Sequence, residues 1–166
     1  MTAWILSLLL MLAPPEQYVV HHARFGLETV GEREARYLSI AIDIAEELEE
    51  VPEHRRRWLG ALLVSVAYLE SGFAPDVDLG PCAPVRGRCD GGRAVSLWQL
   101  HGHPEQAGDR PAAVATAIDQ ILQSASACRR YGPDAILRVY ASGSCERGAA
   151  ASARRVTLAR RLVLFH

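Results

Sequence analysis

One glutamate stands at a position where a carboxyl group can work as an acid. Glu70 follows three apolar residues that fall on one helix face with it, within about 60° at about 100° per residue: Leu59, Leu63 and Val66. It lies in the last turn before Ser71-Gly72, where burial and the negative end of the helix dipole both favour a protonated carboxyl group. Cleavage of a glycosidic bond requires such an acid. The same spacing also fits an ordinary helix-end glutamate paired with an arginine such as Arg93.

Three aspartates follow Glu70 and could supply a second carboxylate: Asp76, Asp78 and Asp90. Hydrolysis of a glycosidic bond by water usually uses such a pair of acids. All three lie in a segment rich in Gly, Pro and Arg, where an aspartate commonly caps the backbone of a turn. The turn interpretation is favoured, and with it a reaction that depends on one carboxyl group.

Other kinds of catalytic site find less support. His101-Gly102-His103 and His21-His22 have no cysteine or carboxylate pattern beside them at metal-ligand spacing, so we interpret them as loop histidines and predict no metal site. No glycine-rich phosphate loop follows a strand, and no Ser-His-Asp or Cys-His arrangement is suggested. The sequence therefore predicts no cofactor.

The elements that must position Glu70 are helices. Apolar residues at a helical period predict a helix over about 32–50 and a buried one over about 54–70, and further helices begin near 109, 133 and 150. Residues 73–94 are rich in Gly, Pro, Asp and Arg and are predicted to form a long loop, with a short hairpin near 86–93. The predicted fold class is mainly α, with a loop-rich, disulfide-stapled active-site region.

The N-terminal segment is the most apolar part of the chain. Residues 3–13 are apolar except for Ser7, and Pro14-Pro15 follow. The run is shorter than the roughly 20 residues that cross a bilayer, so no stable membrane span is expected. Its length suits the core of a secretory signal, but Met1-Thr2 carries no side-chain charge, and a buried N-terminal helix is the alternative. We therefore predict a signal or N-terminal apolar segment over 1–16 and a single domain over 17–166.

The cysteines indicate the compartment. There are four of them, an even number: Cys82, Cys89, Cys128 and Cys145. Two local pairings would each staple a short loop, Cys82 with Cys89 and Cys128 with Cys145, although four cysteines allow three connectivities. Disulfides are typical of exported proteins, so a periplasmic or extracellular protein is expected.

Charge is small overall and unevenly distributed. The 166 residues carry a formal net charge of -1, which does not favour binding to nucleic acid, and the chain is expected to be a monomer. Residues 28–53 are acidic, whereas residues 129–161 carry eight arginines. The basic segment suits a face that binds an anionic wall polymer. The alternative, which we favour, is that these helices are solvated or face each other.

Three segments together resemble a known family. Ala67 to Gly72 (AYLESG), followed by Phe73, resembles the Glu-Ser-x-Phe segment of lytic transglycosylases, whose fold is shared with goose-type lysozymes. Residues 96–100 (SLWQL) resemble the family's Gly-Leu-(Met/Trp)-Gln-(Ile/Leu) segment, and residues 139–143 (VYASG) resemble Ala-Tyr-Asn-x-Gly. The segments occur in the family's order, and the resemblance covers about residues 55–145. It departs at Ser96, where the family has Gly, and at Ala141, where it has Asn.

The resemblance implies a lysozyme-like helical domain that cleaves peptidoglycan at the bond between N-acetylmuramic acid and N-acetylglucosamine. Glu70 would be the one catalytic residue, acting first as acid and then as base. The residues implied to bind substrate or orient the carboxyl group are Ser71, Ser96, Trp98, Gln99 and Tyr140. Two alternatives remain open, a hydrolytic lysozyme and a catalytically silent wall-binding domain. A coincidental match would leave Glu70 far from Gln99 and Tyr140.

Overall fold

The computed structural model describes residues 1–18, 28–78 and 89–165. In these ranges the chain is mainly helical, as predicted. The helices are α1 (Thr2–Leu12), α2 (Pro15–Tyr18), α3 (Val30–Glu47), α4 (Glu53–Ser71), α5 (Pro75–Asp78), α6 (Cys89–Gly92), α7 (Arg110–Ala127), α8 (Arg138–Ser142) and α9 (Ala149–Leu164). Two short antiparallel strands, β1 (Ala94–Val95) and β2 (Leu100–His101), pair Ala94 with His101. This hairpin lies C-terminal to the predicted one, whose residues 86–88 fall outside the described residues.

Helix α3 begins where its sequence satisfies the free amides of a first turn. The Thr29 side chain accepts from the Glu32 amide, and the Glu32 carboxylate accepts from the Thr29 amide, which completes a capping box. The apolar face predicted from the spacing is buried, with Tyr37, Ile40 and Ile44 fully covered. A 3-10 turn over Leu48–Glu50 ends the helix ahead of Pro52.

Helix α4 carries Glu70 and runs through the middle of the core. Residues 59–67 are all buried, as the continuous apolar pattern predicts. The helix ends at Gly72, whose φ of 58° is left-handed and whose amide donates to the Tyr68 carbonyl. Glycine adopts this conformation without strain, so the sequence sets where the helix stops and places Glu70 in its final turn.

The N-terminal apolar segment is part of the same core. Ile5, Leu8 and Leu9 of α1 are fully buried against the other helices, which matches the buried-helix alternative for this segment. None of the helices in the described ranges is both long and apolar enough to cross a membrane. At the contact between α1 and α4, the ring of Trp4 lies over Gly60.

Gly60 is expected to be required for this contact. A Cβ at Gly60 would lie 3.1 Å from the Trp4 ring and 3.3 Å from Leu48, so Gly60→Val should overpack the interface and lower the free energy of unfolding by about 1–3 kcal/mol. Gly31→Val in α3 is the matched control, because nothing lies within 4 Å of its Cβ position. Urea denaturation measures both variants, and equal unfolding free energies would contradict the proposed packing.

A disulfide closes the C-terminal part of the fold. Cys128 at the end of α7 is bonded to Cys145 before α9, with an S–S distance of 2.02 Å, which confirms one predicted pairing. Cys89 is also disulfide-bonded, and Cys82, its predicted partner, lies outside the described residues. The bond fixes α8 between α7 and α9, and α8 contains Tyr140.

Candidate active site

Glu70 lies at the end of α4 with 21% of its side chain exposed. Its Oε1 accepts from the Arg155 Nη2 of α9 over 2.5 Å. The apolar stripe is therefore not the whole environment of Glu70, because the carboxylate is paired with an arginine, as in the alternative of an ordinary helix-end glutamate. The alternative of a paired helix-end glutamate named Arg93, but that side chain donates to the Asp90 carbonyl instead. The pair is sheltered, since 12% of the Arg155 side chain is exposed.

Ser71 stabilises the helix end. Its hydroxyl donates to the Ala67 carbonyl over 2.7 Å and accepts from the Phe73 amide over 3.2 Å. The hydroxyl has one proton, and that proton is used within α4. In this structure Ser71 holds the turn that follows Glu70, and its contact with substrate or the carboxyl group stays a prediction.

The segment between β1 and β2 is a tight turn with two residues in the left-handed region. Ser96 has a φ of 64° and Gln99 a φ of 51°. The Ser96 hydroxyl, predicted to bind substrate, is buried and accepts from the Trp98 amide over 3.3 Å. Glycine adopts a positive φ at no steric cost, and Ser96 stands where the resembled family has glycine. The backbone at Ser96 therefore has a positive φ, the conformation that a glycine at this position would favour.

Trp98 belongs to the core. Its ring is fully buried, and its Nε1 donates to the Leu63 carbonyl of α4 over 3.1 Å. In this structure the ring has no exposed surface on which a sugar could stack, so the burial of Trp98 favours a core role. It instead fixes the 96–99 turn to the helix that carries Glu70.

Tyr140 joins two of the three motif segments, 139–143 and 96–100. Its hydroxyl donates to the Trp98 carbonyl. Burial raises the pKa of the Tyr140 phenol far above its ordinary value, the nearby charge of Glu70 raises it further, and Arg155 acts in the opposite direction. The phenol is therefore a neutral hydrogen-bond donor, and the charge of Glu70 is close enough to raise its pKa.

A cavity of about 520 Å³ opens beside Tyr140. Its walls carry amide, hydroxyl and imidazole groups as well as apolar surface, from Gln99, His101, Gln120, Gln123 and residues 139–143. The Gln99 amide donates to the Ser96 carbonyl over 3.1 Å and is half-buried. Tyr140 and Gln99 thus line one cavity.

Two of the aspartates considered as a second acid are engaged elsewhere. Asp78 is buried and accepts from Arg36 and Arg110, so it is a structural ion-pair residue, not a turn cap. Asp90 contacts the Nε2 of His101 over 2.8 Å, at an exposed position on the cavity rim. Within the described ranges, no group of three or more His, Cys, Asp or Glu side chains could hold a metal ion. His21-His22 lie outside those ranges.

Sequence reasoning did not identify Arg155. It belongs to the basic segment 129–161, in which several arginines look alike, and it lies 85 positions from Glu70. Two arginines of this segment have ion-pair partners outside the acidic segment 28–53: Arg155 pairs with Glu70 and Arg160 with Asp134. Arg154 is exposed.

Comparison of the chain with protein-family models, with curated proteins and with solved structures gives no match.

Proposed function

We propose that this chain is a lysozyme-like enzyme that cleaves peptidoglycan glycan strands, with Glu70 as its proton donor. The observation that carries the proposal is the position of Tyr140. Its hydroxyl donates to the Trp98 carbonyl, and it lines a cavity together with Gln99. Burial and then the charge of Glu70 raise the pKa of its phenol. Two of the motif segments, far apart in sequence, therefore line one cavity, and the charge of Glu70 in the third segment acts on the phenol between them. Glu70 itself is not among the residues that line this cavity.

The chemistry of the cavity wall favours a neutral carbohydrate. None of the described residues lining it is an arginine, aspartate or glutamate, and three glutamines supply amide donors and acceptors: Gln99, Gln120 and Gln123. Such groups match the hydroxyl and N-acetyl groups of amino sugars. An anionic ligand would instead call for the bidentate contacts that arginine makes.

The arrangement favours transglycosylation over hydrolysis. Glu70 would give its proton to the glycosidic oxygen, and the substrate's N-acetyl group would stabilise the positive anomeric carbon. Glu70 would then take the proton of the C6 hydroxyl as that oxygen bonds to the anomeric carbon, which leaves a 1,6-anhydro sugar. Hydrolysis would need a second group to position water, and Asp78 is locked between two arginines.

A catalytically silent wall-binding domain is the second candidate. The ion pair between Glu70 and Arg155 favours it, because a carboxylate held by a guanidinium is an ordinary structural feature. Both candidates predict binding of glycan strands, and only the enzyme predicts turnover. The disulfide between Cys128 and Cys145 supports action outside the cytoplasm for either candidate.

Digestion of purified peptidoglycan tests the proposal. We expect soluble fragments whose muramyl ends are lighter by one water than the products of hydrolysis, and mass spectrometry detects the difference. Fragments with intact reducing ends would indicate a hydrolytic lysozyme instead. Sedimentation of the protein with the polymer and no released fragments would refute the enzyme and leave the binding domain.

A further inference from the structure

Arg155 is held more firmly than an ordinary surface arginine. Its Nη2 donates to Glu70 and its Nη1 donates to the Ala151 carbonyl over 2.8 Å, so the two ends of the guanidinium are fixed. Among the described residues its Nε is buried without a hydrogen-bond partner. A buried unsatisfied donor is costly. The Arg155 side chain therefore lies where it contacts the Glu70 carboxylate, although its own Nε loses a hydrogen bond there.

The helix that carries Arg155 is fixed to the helix that carries Glu70. The Arg155 carbonyl accepts from the Ser65 hydroxyl of α4 over 2.7 Å. Ser65 is fully buried, as is Val156 of α9. This bond lies one turn and a half from Glu70 along α4, so it sets the register between the two helices. The guanidinium and the carboxylate consequently meet in one fixed arrangement.

We propose that Arg155 is a positioning residue for Glu70, which holds Oε1 and leaves Oε2 to carry the proton. This inference rests on the proposed function. A guanidinium that occupies one carboxylate oxygen fixes the rotamer of the side chain and leaves one oxygen for proton transfer. The assignment extends the site to a residue outside all three motif segments.

Arg155 also stabilises the charge that forms during the reaction. When Oε2 gives its proton to the glycosidic oxygen, the bond between that oxygen and the anomeric carbon breaks and Glu70 becomes a carboxylate. A preorganised cation beside Oε1 stabilises this negative charge where it develops. When Oε2 takes the C6 hydroxyl proton in the second step, the carboxyl group is neutral again and keeps the hydrogen bond from Arg155 at Oε1.

Kinetics of Arg155 variants on peptidoglycan test the inference. Arg155→Gln should lower kcat by about 10²-fold with little change in KM, because the carboxyl group loses its fixed orientation. Arg155→Lys should recover part of kcat, since an ammonium supplies the charge without the planar fork. Arg154→Gln is the matched control, one position away on α9 and exposed, and it should leave kcat unchanged.

A double-variant cycle separates positioning from a general loss of structure. Because Arg155 acts through Glu70, Arg155→Gln should cause no further loss in a Glu70→Gln background, whereas structural damage would lower the residual rate there as well. If Glu70→Gln abolishes activity while Arg155→Gln matches Arg154→Gln, the inference is wrong and the proposed function stands. A raised KM with unchanged kcat would also overturn it. If the unmodified protein releases no fragments, or if Glu70→Gln reacts at the full rate, Glu70 does no chemistry. The inference and the proposed function then both fail.

Discussion

Glu70→Gln is expected to lower kcat on peptidoglycan by about 10²–10⁴-fold, the range that a positioned general acid contributes. Glutamine has nearly the same shape, and its amide oxygen can still accept from Arg155, so the end of α4 should keep its structure. It has no acidic proton to give to the glycosidic oxygen. The rate of release of soluble fragments from purified peptidoglycan measures the effect.

Glu53→Gln provides the control for this substitution. Glu53 is exposed in the first turn of the same helix, at the opposite end from Glu70, so the same chemical change there should leave kcat intact. Binding of both variants to peptidoglycan should equal that of the unmodified chain. Equal activity of the Glu70 and Glu53 variants would show that Glu70 is not the acid.

The helices were largely predictable because their signals are local. The period of apolar residues in α3 and α4, the proline before α4 and the glycine after it determine both the faces and the ends of these helices. Glu70 was found for the same reason, since its position relative to the apolar stripe and to Gly72 depends only on neighbours in sequence. Local rules therefore located the helix end that carries the candidate acid.

The partners of the site residues were not predictable, because they depend on how distant segments pack. Trp98 belongs to a short motif that fits either a sugar platform or a core residue, and only its contact with Leu63 decides for the core. Arg155 lies 85 positions from Glu70, and its sequence neighbour Arg154 looks identical to it. Choosing between such residues requires the register between α4 and α9, which no local pattern contains.

The partners of Asp78 also come from distant parts of the chain, and its substitution should have the largest effect on the free energy of unfolding. Its carboxylate is 1% exposed and lies between two cations, with Arg110 Nε 2.7 Å and Arg36 Nη1 3.3 Å away. Asp78→Ala would leave both guanidiniums buried with less negative charge beside them. Breaking a buried pair by removing one partner costs about 3–5 kcal/mol. We expect a loss of that size in the free energy of unfolding, measured by urea denaturation.

Asp119→Ala, at an exposed position of α7, is the control and should change the free energy of unfolding little. The loss at Asp78 should also reach the candidate active site, because Arg36 donates to the Phe73 carbonyl over 3.0 Å, just beyond the turn that ends α4. Loosening Arg36 would loosen that turn and with it Glu70. We therefore expect Asp78→Ala to lower kcat even at temperatures where the variant is fully folded. A variant as stable as Asp119→Ala would show that Glu28 and Asp43 alone neutralise the two arginines.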